Sequence, residues 1–173
     1  MKKYAITALG ECLIDFNFTN QESGHLLLEG NPGGAPANVL AAASKLGAKT
    51  CFIGKVGQDA FGDFLKYSLQ SCNIDTAGLV SSEIFPTTLA FVSVNENGDR
   101  SFSFYRKSTA DLMLSEDEID YKSISESEIF HFGSVSMTSE PSRTASSPIS
   151  SKVLKPNYDS KSKPLIGRLL SRC

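Results

Sequence analysis

Apolar residues recur along the chain with two different periods, and the switches between them outline its elements. Tyr4 to Gly10 is a short apolar run closed by glycine, which predicts a buried first strand. From Pro36 the spacing changes. Val39, Ala42, Ala43 and Leu46 fall at i, i+3, i+4 and i+7, one face of a helix, and Gly47 supplies a C-terminal stop. Thr50 to Val56 again reads as a strand. Asp59 is placed to cap a second helix with Phe61, Phe64, Leu65, Ser68, Leu69 and Cys72 along one side. Strand, helix, strand, helix predicts an α/β layered sheet.

Past residue 88 the period becomes two. LAFVSVNENGDRSFSFYR (89–106) alternates on both sides of NENGD, which predicts a β-hairpin turning at Asn97-Gly98. Leu89, Phe91 and Ser93 are expected on one face, with Phe102, Phe104 and Tyr105 on the returning strand. A hairpin inserted into an α/β chain suits an appendage, a lid or an oligomer contact, better than a strand of the central sheet. The lid is expected over about 78–107. Ser115 with Glu118 three residues on makes a capping box for a short helix. Glu128 to Met137 predicts one more strand.

The pattern then fails. Residues 139–173 hold nine serines, four of the seven prolines and a single aromatic, Tyr158, a composition that buries too little apolar surface to offset its ordering entropy. The expected organisation is a globular part over 1–145 and a disordered tail over 146–173.

Charge sharpens that division. Up to Thr138 there are 10 Lys+Arg against 17 Asp+Glu, a net −7; from Ser139 there are 7 against 2, a net +5, and together they give the chain's −2. A net charge of −2 argues against a nucleic-acid surface, which is normally basic. Cys12, Cys51, Cys72 and Cys173 show no CxxC pair and no His partner at metal-ligand spacing, which predicts buried or free thiols in a reducing compartment and no metal site. Glu11 and Asp15 interrupt the N-terminal apolar stretch too early for a signal peptide, and no run approaches a membrane span. The expected location is cytoplasmic, with no membrane partner, and the sequon Asn17-Phe18-Thr19 carries no weight there.

The candidate chemistry lies in GNPGGAPANVLAAASKLG (30–47). It fits neither the Walker loop nor the dinucleotide fingerprint. It offers Gly33-Gly34, backbone that a ligand can approach closely; Pro36, suited to a first helical turn; and the Asn38 amide near the helix start. Bare backbone plus a carboxamide suits a neutral polyhydroxyl compound better than a polyphosphate. The same residues also suit a tight strand-to-helix turn with a capping asparagine. Asp15, in GECLID, is expected just past the first strand, at the sheet edge where open α/β sheets bind ligands. A carboxylate there can accept bonds from adjacent hydroxyls.

Taken in order, GECLIDF (10–16), GGAPANV (33–39), GKVGQDAFG (54–62), the FSFYR…AD stretch (102–111) and HFGS (131–134) resemble the PfkB, or ribokinase-like, sugar kinases, and among them the fructokinases. The resemblance implies a sheet flanked by helices with a β-lid that closes over the sugar and often pairs between subunits in a homodimer. It makes Asp15, Gly33, Gly34 and Asn38 sugar-hydroxyl contacts, and Tyr105 and Arg106 lid residues reaching the substrate. Hairpin packing and a solvated charge would equally explain those last two. It implies ATP and Mg2+ as co-substrate and cofactor, with fructose as the favoured acceptor. Leu40 departs from the family's first signature, which more often has a small residue there. The family's second signature, a GAGD-type turn carrying the base and anion hole, has no counterpart, and neither has the ATP-binding half. The expectation is therefore a truncated or frame-shifted product, or an incomplete gene model, unable to phosphorylate sugar. The alternative is a non-catalytic module for sugar binding or lid-mediated dimerisation.

Overall fold

The computed structural model describes residues 2–18, 25–94 and 99–146. The predicted 146–173 tail, Cys173, Thr19 of the sequon and the Asn97-Gly98 turn lie outside the described residues, Ser146 excepted.

Two four-stranded sheets carry the chain. In the first, β1 (Tyr4–Leu9), β4 (Thr50–Gly57), β5 (Ile74–Ser82) and β8 (Ser127–Phe132) run parallel in the order β5-β4-β1-β8. Helix α1 (Ala35–Lys45) packs on β1 and β4, and α2 (Ala60–Ser71) packs on β5. Between sheet and helices lies a core of Ala8, Ile14, Leu40, Phe52, Val56, Leu65 and Leu69. On the opposite side Leu9 and Ile53 meet Leu114, Ile119, Ile124 and Ala145. A parallel sheet covered on both faces is the α/β arrangement the alternation of elements predicts.

The second sheet is larger than a hairpin. Its order is β3-β2-β6-β7, with β2 (Leu13–Phe18), β3 (Leu28–Gly33), β6 (Leu89–Val94) and β7 (Arg100–Tyr105). β2 pairs antiparallel with β3 and parallel with β6, and β6 pairs antiparallel with β7. Asp15 therefore sits within a strand of this second sheet, named the lid sheet for the expected lid hairpin it contains, and not in a loop beyond β1. Only Gly10 to Cys12 separate the two sheets there, and Ile14, Phe16 and Phe18 alternate as a strand must. β3, LEGNPG, has little strand propensity of its own and is held by its pairing with β2. Residues 78–82, assigned above to the lid, are the end of β5 and belong to the parallel sheet.

Two finer expectations change, on α1 and after residue 127, while the hairpin forms with its faces now explicit. Helix α1 buries Pro36, Ala37 and Leu40, while Val39 is 39% and Leu46 89% exposed. An alanine-rich helix offers two apolar stripes, and the one holding Leu40 was taken by the core. On the hairpin, Phe91 faces Ser103, and Leu89 faces Tyr105, so Phe102 and Phe104 project from the other face, opposite Val92 and Ala90. The strand after residue 127 ends at Phe132, and Ser134–Met137 is a 3-10 turn. The Ser115–Glu118 capping box forms as expected, over the 3-10 turn Glu116–Glu118.

Candidate functional site

The order β5-β4-β1-β8 places a change of winding direction between β1 and β8. Crevices at such points, beyond the carboxyl ends of the strands, are where open α/β sheets bind ligands. The glycine loop arrives there from β3. Gly34 has φ +113°, and a Cβ on it would lie 2.3 Å from the carbonyl oxygen of Glu11, so only glycine passes. Gly34 gives α1 no side-chain cap. Glu11 supplies the acceptor instead, its Oε1 taking the Ala35 N–H at 3.2 Å. Glu11 is 3% exposed and its Oε2 has no hydrogen-bond partner among the described residues. Burial pushes its carboxyl above the usual range, against the pull of backbone N–H groups, Ala35 among them, and of the Arg106 charge.

Asp15 and the glycine loop form one surface. A Cβ on Gly33 would lie 2.1 Å from Asp15 Oδ2, so the carboxylate occupies the space a side chain would need. Asp15 is half-buried and its carboxylate makes no hydrogen bond among the described residues; burial pushes its carboxyl up. Across the lid sheet Asp15 is in register with Asn31 on one side and with Ala90 on the other, and Ala90 with Phe104. Asn31, Asp15, Ala90 and Phe104 thus share one face. Asn38 lies on α1; its side chain is exposed and, with Gly33, it borders a cavity of about 50 Å³ between α1 and α2.

Tyr105 and Arg106 are placed differently. Tyr105 is on the face of Leu89 and Phe91, its ring 5.1 Å from that of Phe91, and so points away from Asp15's side of the sheet. Arg106 is held in a buried clamp. Its guanidinium donates to Asp111 Oδ2 at 2.7 Å, to Thr138 Oγ1 at 3.2 Å and to the Val135 carbonyl at 3.2 Å. Both border an open cleft of about 560 Å³ at the lid's base that Asp15, Gly33 and Asn38 do not line. The structure brings Asp15 against Gly33 and puts Gly34 and Asn38 in the first turn of α1, with Tyr105 and Arg106 elsewhere.

Two aspartates fix the lid's entry and exit. Asp59 caps α2 through the Gly62 N–H at 2.8 Å and also accepts from the Thr87 N–H and hydroxyl, each at 2.8 Å. Burial opposes its ionisation, but these bonds outweigh burial and hold the carboxyl below the usual range. Asp111 accepts from Thr88 Oγ1 at 2.5 Å and Thr109 Oγ1 at 2.8 Å besides Arg106. In GKVGQDAFG, Gly57 and Gly62 are spacers for this junction: a Cβ on Gly62 would lie 2.0 Å from the Gly57 carbonyl oxygen.

Glu11 and Phe104 were missed in the sequence reading. Strand parity was available for Phe104, since every second residue of the returning strand shares its face. For Glu11 the only signal was an acid beside an apolar pair at a strand end. Among the described residues no three His, Cys, Asp or Glu side chains gather as metal ligands, and no helix is long and apolar enough to cross a membrane.

Glycine loop, switch point and four-stranded lid together define a sugar-kinase type of fold, and the chain matches the pfkB family of carbohydrate kinases over residues 4–154. It belongs to that family. It is 44% identical over 145 residues to the probable fructokinase-5 of Arabidopsis thaliana, covering 81% of this chain and 44% of the relative. Among solved structures, the fructokinase of Xylella fastidiosa superposes with a TM-score of 0.76 at 38% identity, over 81% of this chain and 44% of that one. An uncharacterized sugar kinase of Pyrococcus horikoshii, solved with ATP, gives 0.79 at 35% identity, over 86% and 49%. The chain thus spans somewhat under half the length of these relatives.

Proposed function

We propose that this chain carries the sugar-binding part of a fructokinase-type kinase, with Asp15, the backbone of Gly33-Gly34 and Asn38 as contacts for sugar hydroxyls. The observation that carries this reading is the unpartnered Asp15 carboxylate lying over Gly33. A desolvated acceptor beside bare backbone gains most from a ligand with adjacent hydroxyls. Phe104, in register with Asp15 across Ala90, would face the apolar side of the same sugar. Arg106 takes part only if its Asp111 clamp opens; Tyr105 would serve the lid's packing. Fructose is the favoured sugar because the named relatives are fructokinases.

The complete reaction would be phosphoryl transfer from MgATP to a sugar hydroxyl, which depends on in-line placement and neutralisation of charge at the transferred group. The sequence holds no GAGD-type turn to supply the base and anion hole. Residues 1–173 are therefore expected to bind sugar without transferring phosphate. Calorimetry with fructose tests the site. Asp15→Ala removes a charged hydrogen-bond partner worth about 1.5–3 kcal/mol and should weaken binding more than tenfold. Equal affinity would remove Asp15 from the site. Fructose-dependent ADP release by the repurified chain would show that catalytic groups lie within it.

A second reading is a lid-mediated homodimer without turnover. Phe102 and Phe104, stacked at 6.0 Å and 52% and 57% exposed, favour it. Sedimentation separates the two, because a monomer at micromolar concentration would exclude it.

A further inference from the structure

Three of the sequence stretches that carry the family resemblance meet at one buried carboxyl, and nothing in the sugar reading accounts for the meeting. Glu11 follows β1, Pro36 opens α1 and Gly133 follows β8, a span of more than a hundred residues. A Cβ on Gly133 would lie 2.7 Å from Glu11 Oε2 and 2.8 Å from Pro36 Cγ, and one on Gly10 would lie 2.5 Å from Pro36 Cγ. Both glycines are thus bare so that Glu11 and Pro36 can pack where they do. The Ala35 N–H that Glu11 accepts is one of the first-turn donors that no helix satisfies internally, and Pro36 beside it has none to offer.

From this geometry we propose that Glu11 is a positioning residue: it fixes the start of α1, and with it Gly33, Gly34 and Asn38, against the ends of β1 and β8. The inference rests on the sugar reading for its functional consequence, though not for its structural one. Gly34 leaves α1 without a side-chain cap, so the loop depends on a distant acceptor to hold its register. Glu11 is that acceptor, and its burial between Gly133 and Pro36 allows it one position. The carboxyl acts through the loop and does not touch the sugar. Its second oxygen, buried without a partner and held in an environment that favours the protonated acid, fits a group that an uncharged amide can replace.

The test compares Glu11→Gln, Glu11→Ala and Gly133→Ala with the wild-type chain, by fructose calorimetry and by amide exchange. Glu11→Gln keeps an oxygen for the Ala35 N–H and should keep fructose affinity within about twofold. Glu11→Ala removes the acceptor, and Gly133→Ala drives a methyl into it; each should weaken fructose about tenfold or more. Both should also speed exchange at the Ala35 amide while Leu69, inside α2, stays protected. Loss of protection at Leu69 in Glu11→Ala would mean global unfolding, and Gly133→Ala then decides. A Glu11→Ala chain with wild-type affinity and exchange overturns the proposal. So does Glu11→Gln behaving like Glu11→Ala, because the charge would then be acting directly. Should the wild-type chain bind no fructose, the sugar reading fails, and exchange at Ala35 alone sustains or overturns the positioning role.

Discussion

At the scale of single residues, the glycine loop depends on side chains that are missing as much as on those present. Gly33 leaves the space that Asp15 fills, and this is a stronger constraint than backbone freedom alone. Gly33→Ala would put a methyl 2.1 Å from Asp15 Oδ2. The carboxylate must then leave the loop, and fructose affinity is expected to fall roughly tenfold, by analogy with losing the charged contact itself. Isothermal titration of Gly33→Ala beside Asp15→Ala checks this, with similar losses expected for both. Asp15, Gly33, Gly34 and Asn38 could be picked out from the sequence because glycine, carboxylate and carboxamide are scarce in apolar strands and helices. Glu11 could not, since its partner N–H and its spacer Gly133 lie 24 and 122 positions away in the chain.

At the scale of elements, the helices separate what composition specifies from what packing chooses. The cap on α2 was legible because Asp59 acts on a residue three positions away. Its reach to Thr87 was not. Asp59→Ala is expected to cost about 0.5–2 kcal/mol as a helix cap alone, read from urea unfolding. Since the native carboxyl is held below its unfolded value, its contribution is complete above the unfolded range near pH 3.9 and is lost as pH falls through the lowered native one. The gap between Asp59→Asn and wild type should therefore narrow only at strongly acid pH. On α1, Leu40 is fully buried while Leu46 is 89% exposed. Leu40→Ala should cost about 2–5 kcal/mol, whereas Leu46→Ala should stay within about 0.5 kcal/mol. Equal costs by chemical denaturation would mean that α1 packs on the other stripe.

At the scale of the molecule, Ile14, Phe16 and Leu89 of the second sheet join the main core, and a few polar contacts set where the lid sits. The chain crosses between the two sheets at residues 10–12, and Asp59 and Asp111 pin the lid's entry at Thr87 and Thr88. Arg106 ties its exit to Val135 and Thr138, beyond β8. The Arg106–Asp111 pair is nearly dry, the side chains being 13% and 1% exposed. Asp111→Ala leaves a buried guanidinium without its counter-charge and should cost about 3–5 kcal/mol. A loss below roughly 1 kcal/mol, within the range of an exposed pair, would show that the clamp is open in solution.

The sequence by itself determined the α/β succession, the glycine loop before a helix, the α2 cap, the capping box at Ser115 and the existence of the hairpin. Each of these is specified within a few residues, by periodicity or by a side chain bonding its own neighbourhood. Tertiary structure decided that Leu13–Phe18 joins the lid sheet, that α1 turns Leu40 inward, that Phe104 rather than Tyr105 shares Asp15's face, and that Glu11 meets Gly133 and Pro36. Those outcomes depend on which strand pairs with which, and in what register. A shift of one residue turns every side chain of a strand over, and the local alternation looks the same in both cases. Only the shared core and the closing of long loops choose between them.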